Sequence, residues 1–461
     1  MAVTHDCIVI GSGPAGSAAA MTLARWGRDV LLVHDGQRAK HVFHETILDG
    51  AFRRLKSMGL GALVQEKQWQ GTTQHGMIWG SDEVRMRDLP TDRHPGLKVD
   101  RAAFDVRLLS EAIHAGATVL QARVVSIECD DQPRIKTTAG TIRAQTIICC
   151  TGRRTTSRLL PVKIETKGPP TIAMTALIKN SAEDKDRTLI EAVHSGWFWR
   201  LPRSDGQLAV TLFADLFQTR KENDDTWQRA CDNAISWTSS EPISPTAATV
   251  FTTQFRTGPG NIFLAGDAVS STDPLSSQGI EKALFSGEEA AYAANTVIAD
   301  TASATELTEY LQQYERGLFQ AYERDTALWY SREARFEDSP FWTARRAPAG
   351  AAPPPSPLPL VMIKSNDLKV AASFERDNRC LKKMSGWATK RHPRPITHVG
   401  RTELAPLLEI FTCPRTLREA EDLARSDPRL IHLRPSSLQE ICTTLYQLGL
   451  ITAADPQQDA Q

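Results

Sequence analysis

The feature that most constrains this chain is the hexapeptide Gly11-Ser12-Gly13-Pro14-Ala15-Gly16, because of what flanks it. A short apolar run, residues 6–10 (DCIVI), leads in. A small-residue stretch with helical character, residues 17–26 (SAAAMTLARW), leads out and is closed by Gly27. A second apolar run follows at 30–33. Strand, Gly-rich turn, helix and strand within about thirty residues is the context that gives G-x-G-x-x-G its meaning. Gly11 permits the tight turn, Gly13 lets the backbone approach a pyrophosphate, and Gly16 lets the helix pack close to the strand. The helix N-terminus then offers N–H groups and a positive dipole end to phosphate. A dinucleotide cradle is predicted, formed by Gly11, Gly13, Ala15 and Gly16. The acid expected to hold the ribose hydroxyls is displaced: His34 ends the second run and Asp35 follows it. Asp35 is the candidate, and a solvated turn carboxylate is the competing reading.

Composition removes several alternatives. In 461 residues, Lys+Arg and Asp+Glu are both 54, so no global field draws the chain to nucleic acid or to anionic lipid. No apolar run reaches the ~18 residues of a membrane span, and the start, MAVTHDCIVIGSG, has no basic n-region of a signal peptide. The eight cysteines contain no C-x-x-C pair, so no metal site is expected, and Cys7, Cys149 and Cys150 lie in apolar runs as small hydrophobes. A reducing, cytoplasmic compartment is the expectation.

A second motif specifies the dinucleotide. Residues 261–267 (NIFLAGD) read as a strand ending in Gly266-Asp267; Asp273-Pro274 follows, then Ser277-Gln278-Gly279-Ile280 and a helix. Asp267 can accept from a ribityl hydroxyl. Pro274 and Gly279 bracket a bend whose N–H groups can meet a flavin edge, with a helix dipole behind it. Two further segments join these: Arg101-x-x-Phe104-Asp105 opening a helix, and Cys149-Cys150-Thr151-Gly152-Arg153 after a strand. In this order the four segments resemble those of group A flavoprotein monooxygenases and flavin-dependent halogenases. The resemblance implies an α/β fold: a Rossmann-like FAD domain plus an antiparallel-sheet substrate domain. It implies FAD as cofactor, O2 as co-substrate, and NAD(P)H or an external flavin reductase as electron source. Oxygen would then reach an aromatic ring through a flavin C4a-hydroperoxide. Arg101, Gly152, Gly266, Asp267, Ser277, Gln278, Gly279 and Ile280 join the cofactor set, with Pro274 beside the reacting edge.

Trp197-Phe198-Trp199-Arg200-Leu201-Pro202 resembles the W-x-W-x-I-P signature of the halogenases, with Leu201 replacing Ile. On a strand, Trp197 and Trp199 share a face. They wall a pocket, or they are core aromatics. Glu45, in His44-Glu45-Thr46, stands where the family often has an acid near the isoalloxazine. Halogenases also carry a pocket lysine. Between Glu45 and Arg101 the chain offers Lys56, Lys67 and Lys98, none in a matching context, which argues against halogenation.

The expected organisation is a discontinuous FAD-binding domain (1–60, 98–165 and 250–336) and a substrate domain (61–97 and 166–249). A Pro-rich and basic connecting segment (337–399) leads to a helical, winged-helix-like module at 400–461. The connection holds seven prolines between 339 and 360, and seven Lys/Arg against one acid between 376 and 394. Six arginines against nine acids make the module acidic and a poor nucleic-acid binder. A scaffold with such a tail is similar to the flavoproteins that mature quinone-bearing amine oxidases and quinohaemoprotein amine dehydrogenase. That resemblance implies hydroxylation of a tryptophan inside a protein or peptide partner, with a small-molecule hydroxylase, a halogenase and a non-catalytic flavoprotein chaperone as the competing readings.

Overall fold

The computed structural model describes residues 4–36, 44–65, 69–88, 96–130, 132–179, 187–203, 205–221, 225–236, 243–347, 358–392, 395–400 and 402–454. Lys67, Arg394 and the densest part of the Pro-rich run lie outside the described residues. The chain divides into two units, Met1–Ala347 and Pro348–Gln461.

In the first unit, strand β1 (Thr4–Ile10) lies at the centre of a seven-stranded sheet, parallel to β2 (Val30–His34) on one side and to Gly140–Cys149 on the other. Ile8 pairs with Leu31 and Ile147, so each β-branched or leucine side chain here is buried between neighbours. The chain leaves β1 to build one side of the sheet and returns to build the other. The carboxyl ends of β1 and Gly140–Cys149 therefore flank a topological switch point, where an open α/β sheet forms its ligand crevice. Helix α1 (Pro14–Arg25) runs from this point. Every residue of it but Arg25 is buried, which explains its run of alanines: they let helix Gly279–Ile298 approach from the other side. Cys7 fits its role as a core hydrophobe, its thiol pushed up to about 12 by burial.

The second sheet has eight strands, in the order Ser270–Ser271, Ala247–Thr257, Lys163–Lys179, Gln207–Asp215, Gly196–Pro202, Arg187–Val193, Gln74–Ile78 and Arg85–Asp88. It is antiparallel except where Arg187–Val193 meets Gln74–Ile78. Its two faces are read out by one strand. Phe198 enters the core with Trp227, Leu212 and Met174, whereas Trp197 and Trp199 join Phe213, Tyr330 and Trp342 on the opposite face.

In the second unit, helices Leu404–Ile410, Leu417–Ser426 and Pro435–Gln447 surround a small three-stranded sheet, a winged-helix-like arrangement. Thr416 and Glu419 form a capping box at the second helix. The structure moves the expected start of this module. Val361–Lys364 supplies the central strand of the sheet, pairing with Arg415–Thr416 and Ile451–Ala453, and Met362 is fully buried in the helical core. The basic run expected as a connection instead occupies most of a hairpin, Lys369–Asp377 and Cys380–Ala388, turned at Asn378 and Arg379 with positive φ. Among the described residues no helix is long and apolar enough to cross a membrane.

Candidate active site

The three glycines of the turn do three different things. Gly11 has φ +107°, and a Cβ there would lie 2.4 Å from the Cys150 carbonyl oxygen. A Cβ on Gly16 would lie 1.8 Å from the carbonyl oxygen of Gly11. These two glycines close the turn on itself. Gly13 has an ordinary φ of −73°, and a Cβ there meets no protein atom within 4 Å. It lines a cavity of about 420 Å3, inside the ~300–1,000 Å3 range of cofactor pockets. As N-cap of α1, Gly13 brings no capping side chain, so first-turn N–H groups remain for a ligand anion. Ala15 is where three backbones meet: a Cβ on Gly266 would lie 2.9 Å from its Cβ, and one on Gly287 2.2 Å from its carbonyl oxygen.

Charged groups line the middle of the cavity. Arg101 Nη1 donates to Glu45 Oε1 at 2.7 Å, and its Nε donates to Asp105 Oδ1 at 2.8 Å. Burial opposes the charge of Arg101, but the two carboxylates outweigh it and hold the guanidinium above its ordinary range. Asp267 is met by Lys282 Nζ at 3.4 Å and Arg153 Nε at 3.6 Å. Burial pushes its carboxyl up, and Lys282, Arg153 and Arg101 together pull it below the usual carboxylate range. It stays ionised, an acceptor for hydroxyl donors. Lys282 Nζ, with 1% of its side chain exposed, also donates to the Ser270 carbonyl and, at 3.2 Å, to Ser270 Oγ. Arg256 braces the same corner, donating to the carbonyls of Asp267 and Arg153 at 3.0 and 2.9 Å.

The far wall is the 272–280 turn and the strand that carries the tryptophans. Asp273 caps the turn Pro274–Ser276 by accepting from Leu275 N at 2.9 Å. Ser277 sits in the left-handed region at φ 51°, a costly conformation for a residue with a Cβ, held where the chain turns into helix Gly279–Ile298. The N-cap of that helix, Gln278, makes no side-chain cap either. Trp197 stacks on Phe213 with centroids 3.9 Å apart and planes 13° from parallel. Trp199, Phe251 and Ile190 complete the apolar wall.

Of the candidates named from sequence, Gly13, Ala15, Glu45, Arg101, Gly152, Trp197, Trp199, Gly266, Asp267, Pro274, Ser277, Gln278, Gly279 and Ile280 all line this one cavity. Gly11 and Gly16 do not; they shape it from behind. Asp35 does not line it and is exposed beyond β2. Trp197 is only 3% exposed, so it is wall and core at once. Lys56 is exposed on helix Asp49–Ser57, Lys98 is buried in its strand, and no described lysine lines the cavity. Sequence reasoning missed Lys282. Its signal was a cation in the first turn of a helix, where the dipole disfavours it, so a nearby anion had to be its partner. Asp267→Ala is expected to speed flavin release far more than Asp35→Ala, and flavin-release titrations of the two variants check it; equal losses would mean that Asp267 is not the contact.

Residues 4–322 match the family model described as FAD binding domain. LodB of Marinomonas mediterranea, named provisionally as an FAD-dependent oxidoreductase, is 27% identical over 368 residues, 75% of this chain and 97% of that protein. The solved structure of QhpG, a peptidyl tryptophan dihydroxylase essential for tryptophylquinone cofactor biogenesis, superposes with a TM-score of 0.68 at 21% identity, covering 97% of this chain and 100% of that one. The flavin-dependent halogenase CmlS gives a TM-score of 0.76 at 17% identity, covering 99% and 97%. At those identities the two structures speak for the fold alone.

Proposed function

From the premise that this chain belongs to the FAD binding domain family and is a flavin-dependent oxidoreductase, we propose that it hydroxylates an aromatic ring, that of a tryptophan within a protein or peptide, during biogenesis of a protein-derived quinone cofactor. The observation that carries this reading is the composition of the cavity wall. Trp197, Trp199, Phe213 and Phe251 form an aromatic enclosure next to the 266–280 turn, with no described lysine in it. The fold, shared along nearly the whole chain with a peptidyl tryptophan dihydroxylase, is compatible with it.

The residues fit FAD. Gly13 leaves open the space that a pyrophosphate requires, the α1 N-terminus supplies N–H donors, and ionised Asp267 can accept from ribityl hydroxyls. Bound and reduced, FAD would supply the O2 chemistry, with NAD(P)H or a flavin reductase as electron source. The chain's own contribution is position and dryness. Glu45 and Asp105 hold Arg101 at the cavity wall, Pro274 and the uncapped N-terminus of helix Gly279–Ile298 would stand beside the ring system, and the stacked Trp197–Phe213 pair would keep water from the substrate.

The direct test is incubation of the reduced holoenzyme with a tryptophan-bearing partner peptide under O2, read by mass spectrometry. A gain of one or two oxygen atoms on tryptophan is expected. A mass increase that depends on added halide would move the assignment to halogenation, and unchanged peptide with full partner maturation by a flavin-free variant would move it to a chaperone role. Trp199→Ala opens the dry cavity and is expected to raise hydrogen peroxide released per NAD(P)H consumed; both Trp→Ala variants melting earlier with coupling intact would make these residues core only.

The unit 348–461 is the proposed docking surface for the partner. Cutting at 395 would leave Met362 and Trp387 without the core they pack in, so the informative deletion removes the entire unit. Flavin content is expected to persist and turnover on the protein partner to be lost; full turnover without residues 348–461 would rule out docking there.

A further inference from the structure

Four carboxylates line the cavity: Glu45, Asp105, Asp267 and Asp273. Three are matched by cations, Glu45 and Asp105 by Arg101, and Asp267 by Lys282 and Arg153. Asp273 is not; among the described residues no cation lies within ion-pair distance of it. Its partners are neutral donors. Leu275 N donates to Oδ1 at 2.9 Å, and the Tyr330 hydroxyl lies 3.0 Å from Oδ1 and 3.2 Å from Oδ2.

The direction of this chain of bonds follows from what each group can do. Trp197 Nε1–H is a donor only, and it donates to the Tyr330 hydroxyl at 3.3 Å. That leaves the Tyr330 proton to go to Asp273. Asp273 therefore ends the chain as a pure acceptor, and two donors do not exhaust the roughly four acceptor sites of a carboxylate. The wall around it is apolar and mostly aromatic, with Trp197, Phe213 and Trp199 beside Leu275 in one cluster. A flat ring that enters this enclosure meets one anionic acceptor with capacity to spare.

Resting on the aromatic-substrate reading above, we infer that Asp273 is the specificity-determining acceptor for a ring N–H, so that the cavity selects indole-class rings over isosteric rings that lack the donor. Tyr330 and Trp197 act as positioning residues, through Asp273. Asp273 is half-buried in the cavity wall, and such an acceptor rejects a ring without the matching donor because it would then lose water and gain nothing. Burial pushes the Asp273 carboxyl above its usual range, and the Leu275 N–H, Arg345 and Tyr330 oppose that; a further donor to the carboxylate would act in the same sense as these three.

The test uses flavin-loaded protein titrated with indole, 1-methylindole and benzothiophene, with the shift in the flavin absorption band giving each Kd. Indole is expected to bind about tenfold more tightly than either analogue, as one charge-assisted hydrogen bond implies. Asp273→Ala is expected to bring the three values together. Asp273→Asn, which keeps the shape and a neutral acceptor, should retain a reduced preference and covers the case in which the alanine variant does not hold flavin. Equal affinities in the unmodified protein would overturn the acceptor role while leaving an aromatic substrate in place. A preference that survives in both variants would assign it to another group. If none of the three rings binds, the aromatic reading itself fails, and this inference with it.

Discussion

Gly13→Val is expected to give a folded protein that purifies without flavin. The substitution differs from those at the neighbouring turn glycines because neither the backbone conformation nor the space at the added Cβ opposes it. Gly13 has φ −73° and extended ψ, which an L-residue accepts, and its Cβ would meet no atom within 4 Å. A ligand lying across the α1 N-terminus would occupy that space. Flavin affinity should fall by on the order of 100-fold or more, about 3 kcal/mol, with the thermal midpoint of the flavin-free protein unchanged. The neighbours behave oppositely. Alanine at Gly11 requires positive φ and a carbon 2.4 Å from the Cys150 oxygen, and alanine at Gly16 puts one 1.8 Å from the Gly11 oxygen. Both require the strand and helix to separate, so both should cost folding before they cost binding. Comparing flavin content with urea midpoints across the three variants separates the roles. Normal flavin occupancy in Gly13→Val would remove the basis for placing the pyrophosphate here.

The same contrast shows what a sequence can display. The cradle was legible because its logic is local: strand, turn and helix within one short stretch, each glycine at a fixed offset. So was the 266–280 turn, which carries Asp267, Pro274 and Gly279 in one run. Trp197 and Trp199 could be assigned to one face from strand periodicity alone. The Trp197–Tyr330–Asp273 chain was not legible, since its links span 133 and 57 residues and no local pattern marks them. That the module's sheet takes its central strand from Val361–Lys364 was not legible, for a physical reason. In the hairpin 369–388 the basic side chains are largely exposed, and its turn is built by Asn378 and Arg379 at positive φ with no glycine to announce it. Next to a dense proline run, such a stretch reads as a solvated connection. Asp35 stands one residue past the strand end that normally carries the ribose acid, and the described structure leaves it exposed and away from the cavity.

Behind the cavity, Glu315 offers the second large effect, one of pH. It is 4% exposed on helix Ala304–Ser331, and Ser270 Oγ donates to it at 3.4 Å. Burial raises its carboxyl from 4.5 to about 7, opposed by Lys282 and the Ser270 hydroxyl and helped by Glu289. A folded-state value above the unfolded one favours the protonated form in the native protein. The stability it contributes is fully present below pH 4.5 and is lost as pH rises to about 7. Over that interval the loss is about 3 kcal/mol. Asp267 has the opposite sign and a different window, since its lowered value costs stability only when pH falls below the ordinary carboxylate range. Glu315→Gln cannot ionise, so its stability relative to the unmodified protein should be greater by about 1 kcal/mol at pH 5 and by about 3 kcal/mol at pH 8. The amide can still accept from Ser270, and Lys282 keeps Asp267 as its partner, so flavin content should not change. Urea denaturation of both proteins at the two pH values, with equal slopes, measures the difference directly. Parallel pH profiles would mean that Glu315 is solvated in the native state, and that the corner where Ser270 links Lys282 and Glu315 behind Asp267 is open to water.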